Sequence, residues 1–82
     1  LREASDVVQI DALIARFHLT RREAEVLYWV IKGKTDRDIG QILGTSHRTV
    51  NKHLEHLFIK LGVETRTAAA AVAVQGLHGV GR

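Results

Sequence analysis

Residues 45–63 read T-S-H-R-T-V-N-K-H-L-E-H-L-F-I-K-L-G-V, and this stretch is the most informative part of the chain because its pattern indicates one helix with two different faces. Apolar residues recur every three or four positions, which is the spacing of a buried helical stripe: they are Val50, Leu54, Leu57, Phe58 and Leu61. The opposite face is polar and largely basic, with Arg48, Lys52, Glu55 and His56. We expect one amphipathic helix over residues 46–61.

A shorter helix is expected immediately before it. Thr35 followed by Asp38 has the spacing of a helix-capping pair, and Gly44 is a typical helix stop. Only Thr45 and Ser46 then separate the two helices. This arrangement predicts a helix-turn-helix core at about residues 36–55, in which the second helix can project into a groove of a nucleic acid.

The rest of the chain also predicts helices. Thr20 followed by Glu23 forms a capping box for a helix that runs to about Lys32, and Thr65 caps a last helix that we expect to end at Gly76. An opening helix is expected over 6–17, within a segment 1–18 that is a helix or linker from an upstream domain. We expect the domain itself at 19–76 and a flexible tail at 77–82.

Composition limits the possible functions. The 82 residues suffice for one small domain, and the formal net charge of +3 mildly favours polyanionic partners. The absence of cysteine excludes disulfides and thiolate zinc sites, and suits a cytoplasmic location. The longest apolar run, residues 68–74, is too short to cross a membrane. Because the chain has no methionine, we expect it to be an excised domain.

Several dispersed motifs resemble one known family. They are L-T-R-R-E-A-E-V-L at 19–27, S-x-x-T-V-x-K-H-L at 46–54, K-L-G-V at 60–63 and R-T-A-A from Arg66. In this order they resemble the C-terminal DNA-binding domain of LuxR-type, or GerE-type, bacterial transcriptional regulators, over residues 19 to about 74. The resemblance implies an all-α, four-helix helix-turn-helix domain, here with an additional N-terminal helix or linker.

The resemblance also implies partners. The third family helix, here 46–61, would lie in the major groove of double-stranded DNA, and the C-terminal helix would form a homodimer. RNA polymerase is a further partner that the family allows, and a receiver or ligand-sensing domain often precedes such a domain. No cofactor is expected. The dimer interface is expected at Ala68, Ala69 and Val72.

Specific roles follow from the chemistry of DNA recognition. Base edges are read by side chains that hydrogen-bond, and we assign this role to Asn51 for adenine, Lys52 for guanine and Glu55 for cytosine. Phosphates are bound by cations and hydroxyl groups, so we assign that role to Lys34, Thr35, Ser46, Arg48, Thr49 and Lys60.

Three positions depart from the family pattern. Asp36 and Asp38 stand where Asn and Glu are usual, so a hydrogen bond to phosphate there would be weakened or replaced by repulsion. Gly40 stands where alanine is usual, at a cost of about 1 kcal/mol in helix propensity. Closer packing against the next helix is expected to compensate.

Other functions compete with DNA reading. Region four of a sigma factor has a similar helix-turn-helix, although K-L-G-V-x-x-R-T-A and the further helix disfavour it. A helical protein-interaction module is the alternative of a different class. His53 and His56 lie one helical turn apart but lack a third metal ligand, and no arrangement of catalytic residues indicates an enzyme.

Overall fold

The computed structural model describes residues 4–80, which form five α-helices. They are α1 (Ala4–Phe17), α2 (Arg21–Ile31), α3 (Asp36–Leu43), α4 (His47–Leu61) and α5 (Arg66–Val80). The all-α expectation is confirmed. No helix among these residues is long and apolar enough to cross a membrane.

Capping residues set the helix boundaries that the sequence predicts. Thr20 accepts a hydrogen bond from the Glu23 amide at 3.2 Å while the Glu23 carboxylate accepts from the Thr20 amide at 2.9 Å. Thr35 and Asp38 repeat this capping box, with 3.1 and 3.4 Å. At the other ends, Gly44 and Gly62 adopt the left-handed conformation that glycine tolerates best.

The core surrounds α2, which packs against α1, α4 and α5. α3 packs on α4, so the helix-turn-helix pair joins the core mainly through α4. Fully buried side chains come from all five helices, because each has an apolar or small face turned inward; the largest are Ile10, Leu13, Val26, Leu27, Ile39, Val50 and Leu57.

The N-terminal segment is more than a connector. α1 begins at Ala4 and contributes two fully buried side chains, Ile10 and Leu13, to the same core as α2. The Tyr28 hydroxyl donates a hydrogen bond to the Asp6 carboxylate, which ties the two helices further. Within residues 4–17, the predicted helix or linker is therefore a helix that is part of the domain.

The C-terminal end of the chain differs from the expectation. α5 does not stop at Gly76 but continues to Val80, so residues 77–80, which belong to the predicted tail, are helical. Gly76 is buried, and a Cβ atom built on it would lie 2.5 Å from Cζ of Phe17. Glycine is therefore used here for close helix packing. The last two residues of the predicted tail lie outside the described residues.

Candidate nucleic-acid interface

α4 presents two chemically different faces. Val50, Leu54 and Leu57 are buried against the core, as the apolar stripe predicts. The exposed residues form a largely polar face: His47, Arg48, Thr49, Asn51, Lys52, Glu55, His56, Ile59 and Lys60. The candidate base-reading residues Asn51, Lys52 and Glu55 all belong to this exposed face. Ile59, 78% exposed, is its one large apolar member.

Ser46, one of the predicted phosphate ligands, caps the start of α4, and a second, Thr49, is its partner. Ser46 Oγ accepts a hydrogen bond from the Thr49 amide at 3.2 Å and lies 3.1 Å from Thr49 Oγ1. Both side chains remain exposed. The free amides at this helix end and the helix dipole favour an anion nearby. Ser46 is therefore a cap, with Thr49 beside it, at a position where a phosphate would also be stabilised.

The turn between α3 and α4 is held by an unusually close approach at Gly40. A Cβ atom built on Gly40 would lie 2.6 Å from the Thr45 carbonyl oxygen and 3.3 Å from the His47 amide nitrogen. The Thr45 amide also donates to the Gly40 carbonyl oxygen at 2.8 Å. The close packing expected at this glycine is confirmed, and it fixes the start of α4 directly against the backbone of α3.

Asp36, at the start of α3, joins three parts of the chain. Its Oδ2 atom accepts from Nδ2 of Asn51 at 3.1 Å, and its Oδ1 atom accepts from Nη1 of Arg66. Nη2 of Arg66 donates to the carbonyl oxygen of Lys34. An ion pair with Arg66 thus accompanies the carboxylate that was expected to repel phosphate. We call these four residues the Asp36 network.

Sequence reasoning missed Arg66 as part of this region. The residue lies at the first position of α5, and 30 positions separate it from Asp36, so no local pattern links the two. The network also brings the base-reading candidate Asn51 beside the predicted phosphate ligands Lys34 and Thr35, which directly precede α3. The start of α3 and the exposed face of α4 therefore form one surface.

The cations on this surface differ in whether they form an ion pair or hydrogen bond within residues 4–80. Lys52 and Arg48 are exposed and make no ion pair or hydrogen bond with any residue of 4–80, and the same holds for the ammonium group of Lys34. Lys60, by contrast, donates to Oε1 of Glu23 on α2 at 2.7 Å. Its ammonium is already paired with a carboxylate, and this pair holds the end of α4 against α2.

Glu23 is a buried carboxylate, 4% exposed, with several partners. Burial acts to raise the pKa of Glu23, but the hydrogen bond and charge of Lys60, together with the amide and hydroxyl of Thr20, outweigh burial and lower it. The folded state therefore favours the ionised carboxylate. The Glu23–Lys60 pair joins the beginning of α2 to the end of α4.

The predicted dimer residues on α5 occupy different environments. Ala68 and Val72 are half-buried, so part of each side chain faces outward. Ala69 is fully buried in the core of the chain and has no surface to offer a second protomer. Val72 also lines a shallow groove between α1 and α5, together with Arg16, Phe17, Val74, Gln75, Gly76 and His78.

Metal binding finds no support in this part of the chain. Among residues 4–80, no three His, Cys, Asp or Glu side chains are placed to hold one ion. His53 is half-buried at the flank of α4, and His56 is exposed.

Comparison with known proteins gives a family match. The model of "Bacterial regulatory proteins, luxR family" matches residues 18–73, which include α2, α3, α4 and the first half of α5. The chain is 47% identical over 57 residues to the transcriptional activator protein AnoR of Acinetobacter nosocomialis, covering 70% of this chain and 24% of AnoR.

Two further relatives have similar sequence identity and coverage. The transcriptional activator protein SolR of Ralstonia solanacearum is 46% identical over 56 residues, covering 68% of this chain and 24% of SolR. The uncharacterized transcriptional regulatory protein YhcZ of Bacillus subtilis is 42% identical over 59 residues, covering 72% of this chain and 28% of YhcZ. The chain thus spans about a quarter of the length of these relatives. No solved structure matches it.

Proposed function

The chain belongs to the luxR family of bacterial regulatory proteins, which are DNA-binding transcriptional regulators, and we propose that it reads a specific sequence in double-stranded DNA. In this proposal α4 lies in the major groove, and the domain is the output module of a bacterial transcriptional regulator. One observation supports it above the others. The exposed face of α4 joins the start of α3 in one surface, and its cations Arg48 and Lys52 have no partner among residues 4–80.

The roles on this surface follow from what each side chain can donate or accept. Lys52 suits the O6 and N7 acceptors of guanine, and Glu55 can accept from N4 of cytosine, while Asn51 offers an amide to a third base. Phosphates would be held by Lys34, Thr35, Ser46, Arg48 and Thr49, through their charges, hydroxyls and helix-end amides. Asp36 and Glu55 reduce the positive field, so non-specific affinity should be modest.

Salt dependence of binding to random duplex DNA tests the proposal. Each phosphate contact should contribute about −0.9 to the slope of log K against log salt concentration, so several contacts give a steep decline. A flat response would contradict DNA reading and favour the protein-interaction alternative.

Lys52→Ala then tests the assignment to a base edge. It should cost about 1 to 3 kcal/mol on the selected site and relax the preference at one base pair. Arg21→Ala is the matched control, because it also removes one cation, but from a side chain paired with Asp11 on α1. An unchanged selected motif in Lys52→Ala would remove Lys52 from the reading set.

We propose that two copies bind one site through α5, with Ala68 and Val72 in the interface. These residues are small or half-exposed, which lets a second helix approach closely. Val72→Glu should reduce two-to-one complexes on a palindromic duplex, as measured by analytical ultracentrifugation. Thr67→Glu, which places the same charge at an exposed position of α5, should leave them intact. Equal two-to-one complexes in both variants would exclude this interface.

A further inference from the structure

The hydrogen bond between Asn51 and Asp36 fixes which end of the Asn51 amide faces outward. An ionised carboxylate can only accept hydrogen bonds, so the NH₂ group of Asn51 must face Asp36, as the 3.1 Å contact from Nδ2 to Oδ2 shows. The carbonyl oxygen lies on the other side of the same amide carbon. Asn51 is exposed, so this oxygen is available to a ligand of the α4 face.

The carboxylate of Asp36 is itself held in place. Arg66, which has donors and no acceptors, binds Oδ1 of Asp36 and at the same time the Lys34 carbonyl oxygen. The two carboxylate oxygens of Asp36 therefore bind different partners: Oδ1 binds Arg66 and Oδ2 binds Asn51. This leaves little freedom for the Asn51 amide to turn over.

We propose that Asp36 is a positioning residue for sequence specificity, which makes Asn51 select a base that carries an exocyclic amine. This inference rests on the proposed function. In the major groove, adenine presents its N6 amine and cytosine its N4 amine, while guanine and thymine present the acceptors O6 and O4. An outward carbonyl oxygen accepts from the first pair and is repelled by the second. Asp36 thereby sets specificity at a base pair that it does not touch.

Replacing Asp36 by its neutral isostere gives a sharp expectation. In Asp36→Asn, Arg66 still requires an oxygen, so the new amide turns its NH₂ group toward Asn51. The Asn51 amide then turns over, accepting with its oxygen and directing its NH₂ group outward. The preferred bases at that pair should change from adenine or cytosine to guanine or thymine.

The experiment begins with selection from duplexes with a randomised centre, using the 82-residue chain. Affinities for the selected duplex and its single-base-pair variants are then measured for each protein. The position that loses its preference in Asn51→Ala is the one Asn51 reads. There we expect wild type to favour adenine or cytosine by about fivefold or more, and Asp36→Asn to reverse this order.

Asp38→Asn is the matched control. Asp38 lies in the same first turn of α3 and bears the same charge, but its carboxylate accepts from the Thr35 amide and does not contact Asn51. Both variants should raise the affinity for random duplex by a similar factor, because each removes one negative charge near phosphates. Only Asp36→Asn should alter the base preference, and its effect should vanish in an Asn51→Ala background.

A second variant, Asp36→Ala, is measured in case Asp36→Asn does not fold. Asp36→Ala frees the Asn51 amide without offering a new partner, so the preference should relax to within about twofold without reversing, and thermal melting verifies that the variant is folded. An unchanged base order in Asp36→Asn, or an undiminished preference in Asp36→Ala, would overturn the inference and leave DNA binding intact. If wild type selects no sequence at all, the proposed function fails together with it.

Discussion

Two helix crossings in this domain each have a glycine inside a helix. The group that a larger side chain would collide with differs between the two. At the α3–α4 crossing, a Cβ atom on Gly40 would meet backbone, 2.6 Å from the Thr45 carbonyl oxygen. At the α1–α5 crossing, a Cβ atom on Gly76 would meet the ring of Phe17, 2.5 Å from Cζ. Backbone in a hydrogen-bonded turn cannot move aside, whereas a half-buried ring beside an open groove can.

This difference indicates where the domain needs a fixed geometry. α4 carries the candidate reading surface, and it is fixed at its start by the Gly40 approach and at its end by the Lys60–Glu23 pair. Such rigid support is what a binding surface requires, because small displacements of its side chains weaken recognition. At the α1–α5 crossing the obstacle is only a side chain, so that crossing should tolerate more change.

Gly40→Ala is the substitution with the largest expected effect, and it tests whether the α3–α4 crossing is rigid. The added methyl group must displace the turn at Thr45, and overpacking of this kind costs about 1 to 3 kcal/mol. Because alanine favours helix, part of this loss is offset by about 1 kcal/mol. We expect a net loss of stability in urea unfolding and weaker binding to the selected DNA site.

The control for this prediction is Gln41→Ala on the next, exposed position of α3, where no turn is displaced. It should leave both stability and DNA binding nearly unchanged. A Gly40→Ala protein as stable as wild type, with unchanged DNA affinity, would show that the α3–α4 crossing is as adjustable as the α1–α5 crossing.

Lys60→Met tests the other end of α4. It leaves the buried Glu23 carboxylate without its cation, and an unpaired buried charge is destabilising. The Lys60 side chain is 38% exposed, so solvent screening reduces the effect, and we expect a loss of about 1 kcal/mol near neutral pH. Thermal or urea unfolding measures it, with Lys52→Met, which has no partner among residues 4–80, as the control.

DNA binding by the same variant separates two roles for Lys60. If Lys60 serves only to hold α4, the salt slope on random duplex should not change, whereas a lost phosphate contact would make it shallower by about 0.9. A shallower slope with unchanged stability would return Lys60 to the phosphate ligands and leave only the start of α4 rigidly fixed.

Local features of this fold could be predicted from the sequence. The capping residues Thr20, Thr35 and Ser46 mark the helix starts because a cap acts within three residues, and Gly44 and Gly62 mark two helix ends for the same reason. The apolar stripe of α4 was predicted correctly because helical periodicity is also local. The family resemblance then gave the arrangement of the helices, and the family match confirms it.

Features that depend on distant residues could not be predicted. Gly76 has the sequence appearance of a helix stop, and only the position of Phe17 shows that it serves close packing. Lys60 has the appearance of a free surface cation, but it lies against Glu23, 37 positions earlier. The Asp36 network likewise joins residues from three helices. Each of these contacts is set by the tertiary fold. Local sequence patterns carry no information about it.

Gly76→Ala should destabilise the protein less than Gly40→Ala does. This substitution tests whether the α1–α5 crossing can adjust to an added methyl group. The Phe17 ring can shift into the neighbouring groove, and the gain in helix propensity of about 1 kcal/mol opposes the cost of that shift. We expect the unfolding free energy to stay within about 1 kcal/mol of wild type. The affinity of a single domain for DNA should not change, because no residue of α4 lines the groove beside Gly76.

The matched control is Gln75→Ala, one exposed position earlier in α5. A loss in Gly76→Ala as large as that in Gly40→Ala would mean that Phe17 is as immobile as the turn backbone. The two crossings would then be equally rigid, and the contrast between them would be lost.

The pH dependence of stability is the smallest expected effect, and it isolates the Lys60–Glu23 pair. The folded state holds the pKa of Glu23 below its ordinary value of 4.5, so the pair's contribution is present above that pH and is lost as pH falls through the folded pKa. In Lys60→Met, burial still raises the pKa of Glu23, but its main opposing partner is absent. The stability difference between wild type and Lys60→Met should therefore be largest near neutral pH and shrink below pH 4.5.

The double variant Glu23→Gln with Lys60→Met isolates the carboxylate in this comparison. Glutamine has nearly the shape of Glu23 but does not titrate, so the stability difference between the double variant and Glu23→Gln alone should not vary over the same acidic range. Urea unfolding at a series of pH values measures both differences. A difference that stays constant with the carboxylate present would mean that the contribution of Lys60 does not depend on the charge of Glu23. In that case charge pairing would not be what fixes the C-terminal end of α4.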